Sequence, residues 1–411
     1  MVSTINDKST VTGGEKISAY HWLMFGICFL GNVMGGTAST LISVYLPVLV
    51  KDLIAAGQTE DLSHVSAYIS ALYFVGWAIG GLFMGVIGDR IGRAKSLALS
   101  ICMFGLFTVL ISFVKSWELV LVFRFLCGFG VGGMLVINNT LLSETWPART
   151  RAVFIGILSI GFPVCIFSSG AVNYLVSSWR QGFMVGIIPV ALGLLAFWIL
   201  RESELWKASQ GKTQENSLRQ NLQDHRRELI NGSIIFGSML IGLWAVFSWV
   251  PTWVQSLLAS GSDGQRERGL SMMLLGAGGL SGGFVSGWVS NALGTRRAMM
   301  LCFGGCFILS FLLFKLSSTF NTVTVVEIAM LSFMFGISQG LLAVYIPQLF
   351  AVTIRGMATG FCFNVGRFFT AAVVFFVGAL VTTLGGYGNS LFAFSFVFLL
   401  GFSILMFSKK I

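Results

Sequence analysis

Of 411 residues, 55% are apolar and only 10% charged, and the formal charge is +10. That balance excludes an ordinary soluble domain. The basic excess is spread along the chain instead of gathered on one soluble face, which excludes a nucleic-acid reader.

Taken in order, the first 19 residues are polar, include Gly13-Gly14, and predict a disordered tail. The apolar run behind them is too long for the core of a cleavable signal peptide. Twelve such runs follow: 20–49, 65–87, 95–113, 118–142, 151–177, 181–200, 233–258, 269–291, 298–316, 323–346, 356–384 and 388–408. Each can cross a hydrocarbon core of about 30 Å as a helix. The chain is therefore expected to be an all-α, multi-pass membrane protein. The first, fifth and eleventh runs exceed a straight crossing and must tilt or bend. Between the sixth and seventh lies 201–231, with six basic and five acidic residues, expected to be a cytoplasmic linker. It divides the chain into a tail (1–19), a first half (20–200) and a second half (232–411).

The halves repeat each other. Gly80-Gly81-Leu82-Phe83-Met84-Gly85-Val86-Ile87-Gly88-Asp89-Arg90-Ile91-Gly92-Arg93 returns 202 residues later as Gly282-Gly283-Phe284-Val285-Ser286-Gly287-Trp288-Val289-Ser290-Asn291-Ala292-Leu293-Gly294-Thr295. The stretch from Glu144 to Ala152 matches Gln348 to Gly356 at an offset of 204. A membrane chain that repeats at half-length commonly builds a carrier from two related bundles.

With the N-terminus inside, 18 Lys and Arg fall in segments on that side and 6 on the other. The positive-inside rule then puts both termini in the cytoplasm, in a cell (inner) membrane. All seven cysteines lie within apolar runs, so disulfides are not expected. Cys302 and Cys306 share a helix face, but without a neighbouring His they read as packing and not as a metal site.

The stretch Gly85-Val86-Ile87-Gly88-Asp89-Arg90-Ile91-Gly92-Arg93-Ala94-Lys95 resembles the loop signature of the major facilitator superfamily. Arg124, followed by Gly128, Gly130, Gly132 and Gly133, is similar to that superfamily's fourth-helix motif. The resemblance spans nearly the whole chain. It implies two pseudo-symmetric six-helix bundles around a central cavity lined by helices 1, 4, 7 and 10. It also implies gating roles for Gly85, Asp89, Arg93, Glu144 and Arg151, with the Asp89 carboxylate bracing a neighbouring helix end when the cytoplasmic side is shut. An acid at a helix N-terminus gains from the macrodipole and from charge-assisted hydrogen bonds. Asn291 and Gln348 replace Asp89 and Glu144 in the second copy, so that half is expected to be electrostatically looser.

Ionisable residues inside a membrane are functional suspects by default. Arg367 lies about twelve residues into the eleventh run, too deep to snorkel easily. It needs a carboxylate, backbone carbonyls or an anionic substrate. Arg124 sits roughly 9 Å into the fourth run from the outer side. Glu327 sits at similar depth in the tenth. The two are expected to attract across the cavity, with protonation of Glu327 releasing the pair. Lys315, at the outer end of the ninth run, is expected to snorkel. The first run carries no acid, which leaves the coupling ion open.

Trp249-Val250-Pro251-Thr252-Trp253 resembles an element of the superfamily's organic-acid symporters, as do Arg355-Gly356 and Asn364-Val365-Gly366-Arg367. Trp179-Arg180 and Glu202-Ser203-Glu204-Leu205-Trp206 are similar to sugar porters, yet the seventh run lacks the paired glutamines that a hexose site uses. The expected activity is secondary transport of a small organic anion, a carboxylate, by alternating access. Arg367, Arg124, Asn364, Trp253, Gln339 and Asn138 are the candidate substrate residues. Glu327 is the candidate for proton symport, with anion exchange and uniport left open. Trp253 could equally belong to an interfacial belt, and each amide could equally bond between helices. A drug exporter is the alternative, although Gly161-Phe162-Pro163 lacks the closing glycine pair of such antiporters. A non-transporting receptor is a second alternative. No nucleophile–base constellation, metal cluster or phosphate loop suggests an enzyme. The expected partners are the anion, protons and membrane lipids, with no cofactor, no nucleic acid and a monomeric state.

Overall fold

The structure, a computed structural model, describes residues 17–54, 62–147, 150–209, 225–259, 261–350 and 355–407. The expected disordered tail lies outside the described residues through residue 16, and so do residues 210–224 of the linker.

Twelve of the described helices are long and apolar enough to cross a membrane. They are α1 (Ala19–Leu53), α2 (Leu62–Ile91), α3 (Arg93–Ile111), α4 (Trp117–Thr145), α5 (Arg151–Leu175), α6 (Trp179–Ile199), α7 (Arg226–Ser256), α8 (Gln265–Leu293), α9 (Thr295–Leu316), α10 (Thr322–Gln348), α11 (Arg355–Ala379) and α12 (Tyr387–Phe407). In hydrocarbon no water is at hand for backbone N–H and C=O groups, so each crossing bonds within itself as a helix. Because the crossings are even in number, α1 begins and α12 ends on one face, called here the terminal face. The opposite side is the far face.

Helix ends depart from the apolar runs where polar turns continue the helix. α7 begins at Arg226 and not at 233, because Arg226, Arg227 and Glu228 extend it past the apolar stretch. α8 begins at Gln265 and so takes in Arg266, Glu267 and Arg268. α11 stops at Ala379, short of the expected 384.

The sequence repeat is a repeat of packing. Gly76 and Gly80 of α2 press against the carbonyl oxygens of Phe125 and Phe129 in α4, and Gly128 and Gly132 of α4 press against those of Tyr73 and Trp77. A Cβ at any of the four would overlap backbone. Lipid supplies no hydrophobic drive between helices, so such close backbone approach is what holds the pair. The second half does the same: Gly278 and Gly282 of α8 meet the carbonyls of Ala329 and Phe333 in α10, and Gly336 meets that of Gly279. Gly92 and Gly294, related by the 202 offset, are both single-residue breaks between helices with φ of 109° and 78°. That region favours glycine.

Two helix pairs make the main contact between the halves, α5 with α8 and α2 with α11, and α1 adds a smaller one with α7 and α8. Along α5 and α8 the contacts run from the far face inward: Gly170 with Gly269, Phe167 with Gly276, Pro163 with Gly279. Two turns further, Gly156 and Gly287 have no atom within 4 Å of where a Cβ would stand. The helices therefore part toward the terminal face. At the far face the halves are hydrogen-bonded: Gln265 Nε2 donates to Asn173 O at 2.8 Å, and Arg268 Nε donates to Val44 O at 2.8 Å. Among the described residues the halves meet at the far face, and α5 and α8 diverge toward the terminal face.

Candidate functional site

Aromatic side chains fill the junction between the halves at mid-membrane. Phe74 and Trp77 are three residues apart on α2, and Trp244 and Phe247 three apart on α7, so each pair shares a helix face. The Trp244 ring lies 4.9 Å from Phe74, 5.3 Å from Trp77 and 5.5 Å from Phe162 of α5. Phe247 continues the cluster to Phe335 of α10 at 5.9 Å. Rings from both halves thus form one wall, held edge to face as aromatic quadrupoles prefer.

Arg367 borders this wall. Its guanidinium carbon is 5.8 Å from the centre of the Trp77 ring, a cation–π distance across the two halves. The side chain is half-buried and keeps some access. Gln339 stands one turn beyond Phe335 on α10, and its Nε2 is buried without a hydrogen-bond partner. A buried donor of that kind invites an acceptor. The side chain of Asn364 lies outside the described residues.

The remaining expected substrate residues serve other ends. Arg124 is 1% exposed. It donates to Ala38 O at 2.9 Å and Ser39 O at 3.2 Å, both in α1, and its guanidinium lies 4.1 Å from the Tyr73 ring centre. These acceptors sit in its own half, so it ties α4 to α1 and α2 and does not present itself as an anion ligand. Among the described residues no ion pair joins it to Glu327. Glu327 instead accepts from Ser317 Oγ at 3.0 Å, in the connection between α9 and α10. Asn138 is buried and donates to Cys28 O at 2.9 Å, again bracing α4 on α1. Trp253 is neither beside the wall nor in an interfacial belt. It is 2% exposed and packs edge-on against Phe314 of α9 at 5.1 Å. Its neighbour Trp249 donates Nε1 to Val374 O of α11 at 3.0 Å. Lys315 is exposed at the far-face end of α9, where its Nζ donates to Asn389 Oδ1 at 2.9 Å.

The residues for which gating is expected lie on the terminal face and bind within their own half. The Asp89 carboxylate is 68% exposed and pairs with Arg93 at 2.5 Å, while Arg93 Nε reaches Glu144 at 3.3 Å. Arg151 donates Nε to Trp146 O at 3.1 Å and bridges the turn from α4 to α5. At Gly85 a Cβ would find only Val136, at 3.8 Å. The start of α3 is braced by another acid. Glu202 accepts from the backbone N–H groups of Ala94 and Lys95, both at 3.1 Å, at the start of α3. Trp206 Nε1 donates to Asp89 O at 2.8 Å. The segment after α6 is thereby fastened to the turn between α2 and α3.

Sequence reasoning passed over three elements. Glu202 and Trp206 were noted only as a resemblance. Arg268 falls between the seventh and eighth apolar runs, where a charge reads as part of a loop. Phe74, Trp77 and Trp244 were lost among 38 Phe and 11 Trp; the one local signal was the spacing of rings on one face of α2 and of α7.

A family model described as Major Facilitator Superfamily matches residues 28–373. The chain is 27% identical over 384 residues, 90% of each chain, to the cis,cis-muconate transport protein of Acinetobacter baylyi. It is 28% identical over 377 residues to a probable 4-methylmuconolactone transporter of Cupriavidus pinatubonensis, covering 88% of this chain and 84% of that one. A crystal structure of a D-xylose-proton symporter superposes with a TM-score of 0.78 at 17% identity, covering 95% of this chain and 97% of that one; that likeness concerns the fold.

Proposed function

This chain belongs to the Major Facilitator Superfamily, and we propose that it is a carrier for a small unsaturated carboxylate. Arg367 takes the carboxylate, and the wall of Trp77, Trp244 and Phe162 takes the planar body. The observation that carries this reading is the contact of Arg367 with Trp77, which sets the one mid-membrane cation of α11 beside a ring of the opposite half. A guanidinium offers a planar fork to a carboxylate. Indole and phenyl faces suit a flat π system better than a hydroxylated ring. A solute held there touches both halves, which is what lets rocking of one half against the other carry it across. The names of the muconate and methylmuconolactone relatives support the same class.

Proton coupling through Glu327 belongs to the proposal. What supports it is a half-buried carboxylate with a single hydroxyl donor. The terminal face is the cytoplasmic one by the excess of Lys and Arg in its segments, in a bacterial inner membrane. Every residue invoked comes from one copy, so a monomer suffices.

Thermal stabilisation of the purified protein tests the substrate class. A conjugated dienoate should stabilise it most, its saturated analogue less, and its methyl ester or a pentose not at all. Equal stabilisation by the ester or the pentose would reject the carboxylate assignment.

A further inference from the structure

We propose that Arg268 is the latch of the far-face gate, and that release of its hold on α1 is the step that admits solute from that side. The residue lies in the first turn of α8 and is 2% exposed. Its Nη1 donates to Asp263 O at 2.7 Å and to the Gln255 side chain, both in its own half. Gln255 is itself held, donating Nε2 to Ser262 O at 3.0 Å. From this fixed base a single bond crosses to the other half, Nε to Val44 O of α1 at 2.8 Å. Release of Arg268 therefore costs one cross-half bond and leaves the guanidinium with two acceptors. A latch must be strong enough to hold and cheap enough to release, and this division of partners provides both.

Gln265, one turn before Arg268 and on the same face of α8, adds a second strand. Its Nε2 donates to Asn173 O at 2.8 Å and to Tyr174 O at 3.5 Å in α5. The two side chains grip α1 and α5 together, beside the close approach of Gly170 and Gly269. Every acceptor across the boundary is a main-chain carbonyl. The geometry also suits arginine: Nε and Nη1, held apart in one planar fork, point to different halves, whereas lysine gathers its donors on a single flexible nitrogen.

The test is hydrogen exchange on the full chain in lipid nanodiscs, comparing the native protein with Arg268→Gln, Arg268→Lys and Gln265→Ala. A lost hydrogen bond to a charged group shifts an open–closed ratio by roughly tenfold or more. Both Arg268 variants should therefore raise exchange at the far-face ends of α1, α5 and α8 by about that factor. They should lower it at the terminal-face ends of α5 and α8, because closing one face accompanies opening the other. Gln265→Ala should give the same opposed pattern at smaller size, and it decides the matter if the Arg268 variants do not fold. Unchanged far-face exchange, or an equal rise at both faces, overturns the proposal. The outcome does not depend on which solute is carried.

Discussion

Arg367 on α11 and Trp77 on α2 meet across the two halves, the guanidinium carbon 5.8 Å from the indole centre. Arg124 makes a similar contact with Tyr73 at 4.1 Å, yet entirely within the first half. The first arrangement changes when the halves rock and the second does not, so the two intramembrane arginines should separate in experiment.

Arg367→Ala should weaken carboxylate binding by about 2–5 kcal/mol, the range for truncating one partner of a desolvated charge pair. Trp77→Leu should cost about 1 kcal/mol of the same binding. Equilibrium binding to the purified protein checks both. Full affinity in Arg367→Ala would remove the anion site.

Arg124→Leu should act on stability. It removes two hydrogen bonds to α1 and the stacking on Tyr73, and the expected loss is about 2–4 kcal/mol. The readout is the midpoint of thermal unfolding in detergent. Whatever protein remains folded should bind the carboxylate at close to native affinity.

Gly80→Ala should be more damaging than its size suggests, since the new methyl would strike the carbonyl oxygen of Phe129. A loss of about 1–3 kcal/mol is expected from overpacking. Gly287→Ala meets open space and should leave the unfolding midpoint within experimental error.

Glu327→Gln should abolish the acceleration of uptake by an acid gradient while preserving solute counterflow in vesicles. Native gradient dependence in the variant would remove Glu327 from the coupling step and leave its bond to Ser317 as its role.

The crossings were legible because hydropathy and helix length are local properties of the chain. The repeat was legible too: glycines at matching positions in α2 and α8 reflect a packing rule that acts within each half. The site was only partly legible. Arg367 stood out as a charge where lipid should be. Trp253 looked equally promising, because nothing in a sequence says toward which neighbour a helix turns a given ring. Arg124 and Glu327 were paired on depth alone, and depth carries no information about the carbonyls of Ala38 and Ser39 or the hydroxyl of Ser317. Arg268 was hidden because the carbonyl it reaches across the halves, that of Val44, belongs to α1, far away in sequence. Glu202 was missed for the same reason, since the helix it caps begins more than a hundred residues earlier.

The divergence of α5 from α8 bears on the opposite state. Continuing the register of Gly170 with Gly269 and Pro163 with Gly279 sets Gly156 across from Gly287, and the corresponding register of α2 and α11 sets Gly85 across from Gly360. The repeat relates Gly85 to Gly287 and Gly156 to Gly360. None of these four has a backbone neighbour within 4 Å where a Cβ would stand. The two helix pairs resemble scissor blades hinged near mid-bilayer, with bare backbone left at the splayed tips where the blades must later touch. Leucine at Gly156 or Gly287 should leave the present state undisturbed yet hold the tips apart, giving a protein that still binds its solute from the terminal face and can no longer turn over.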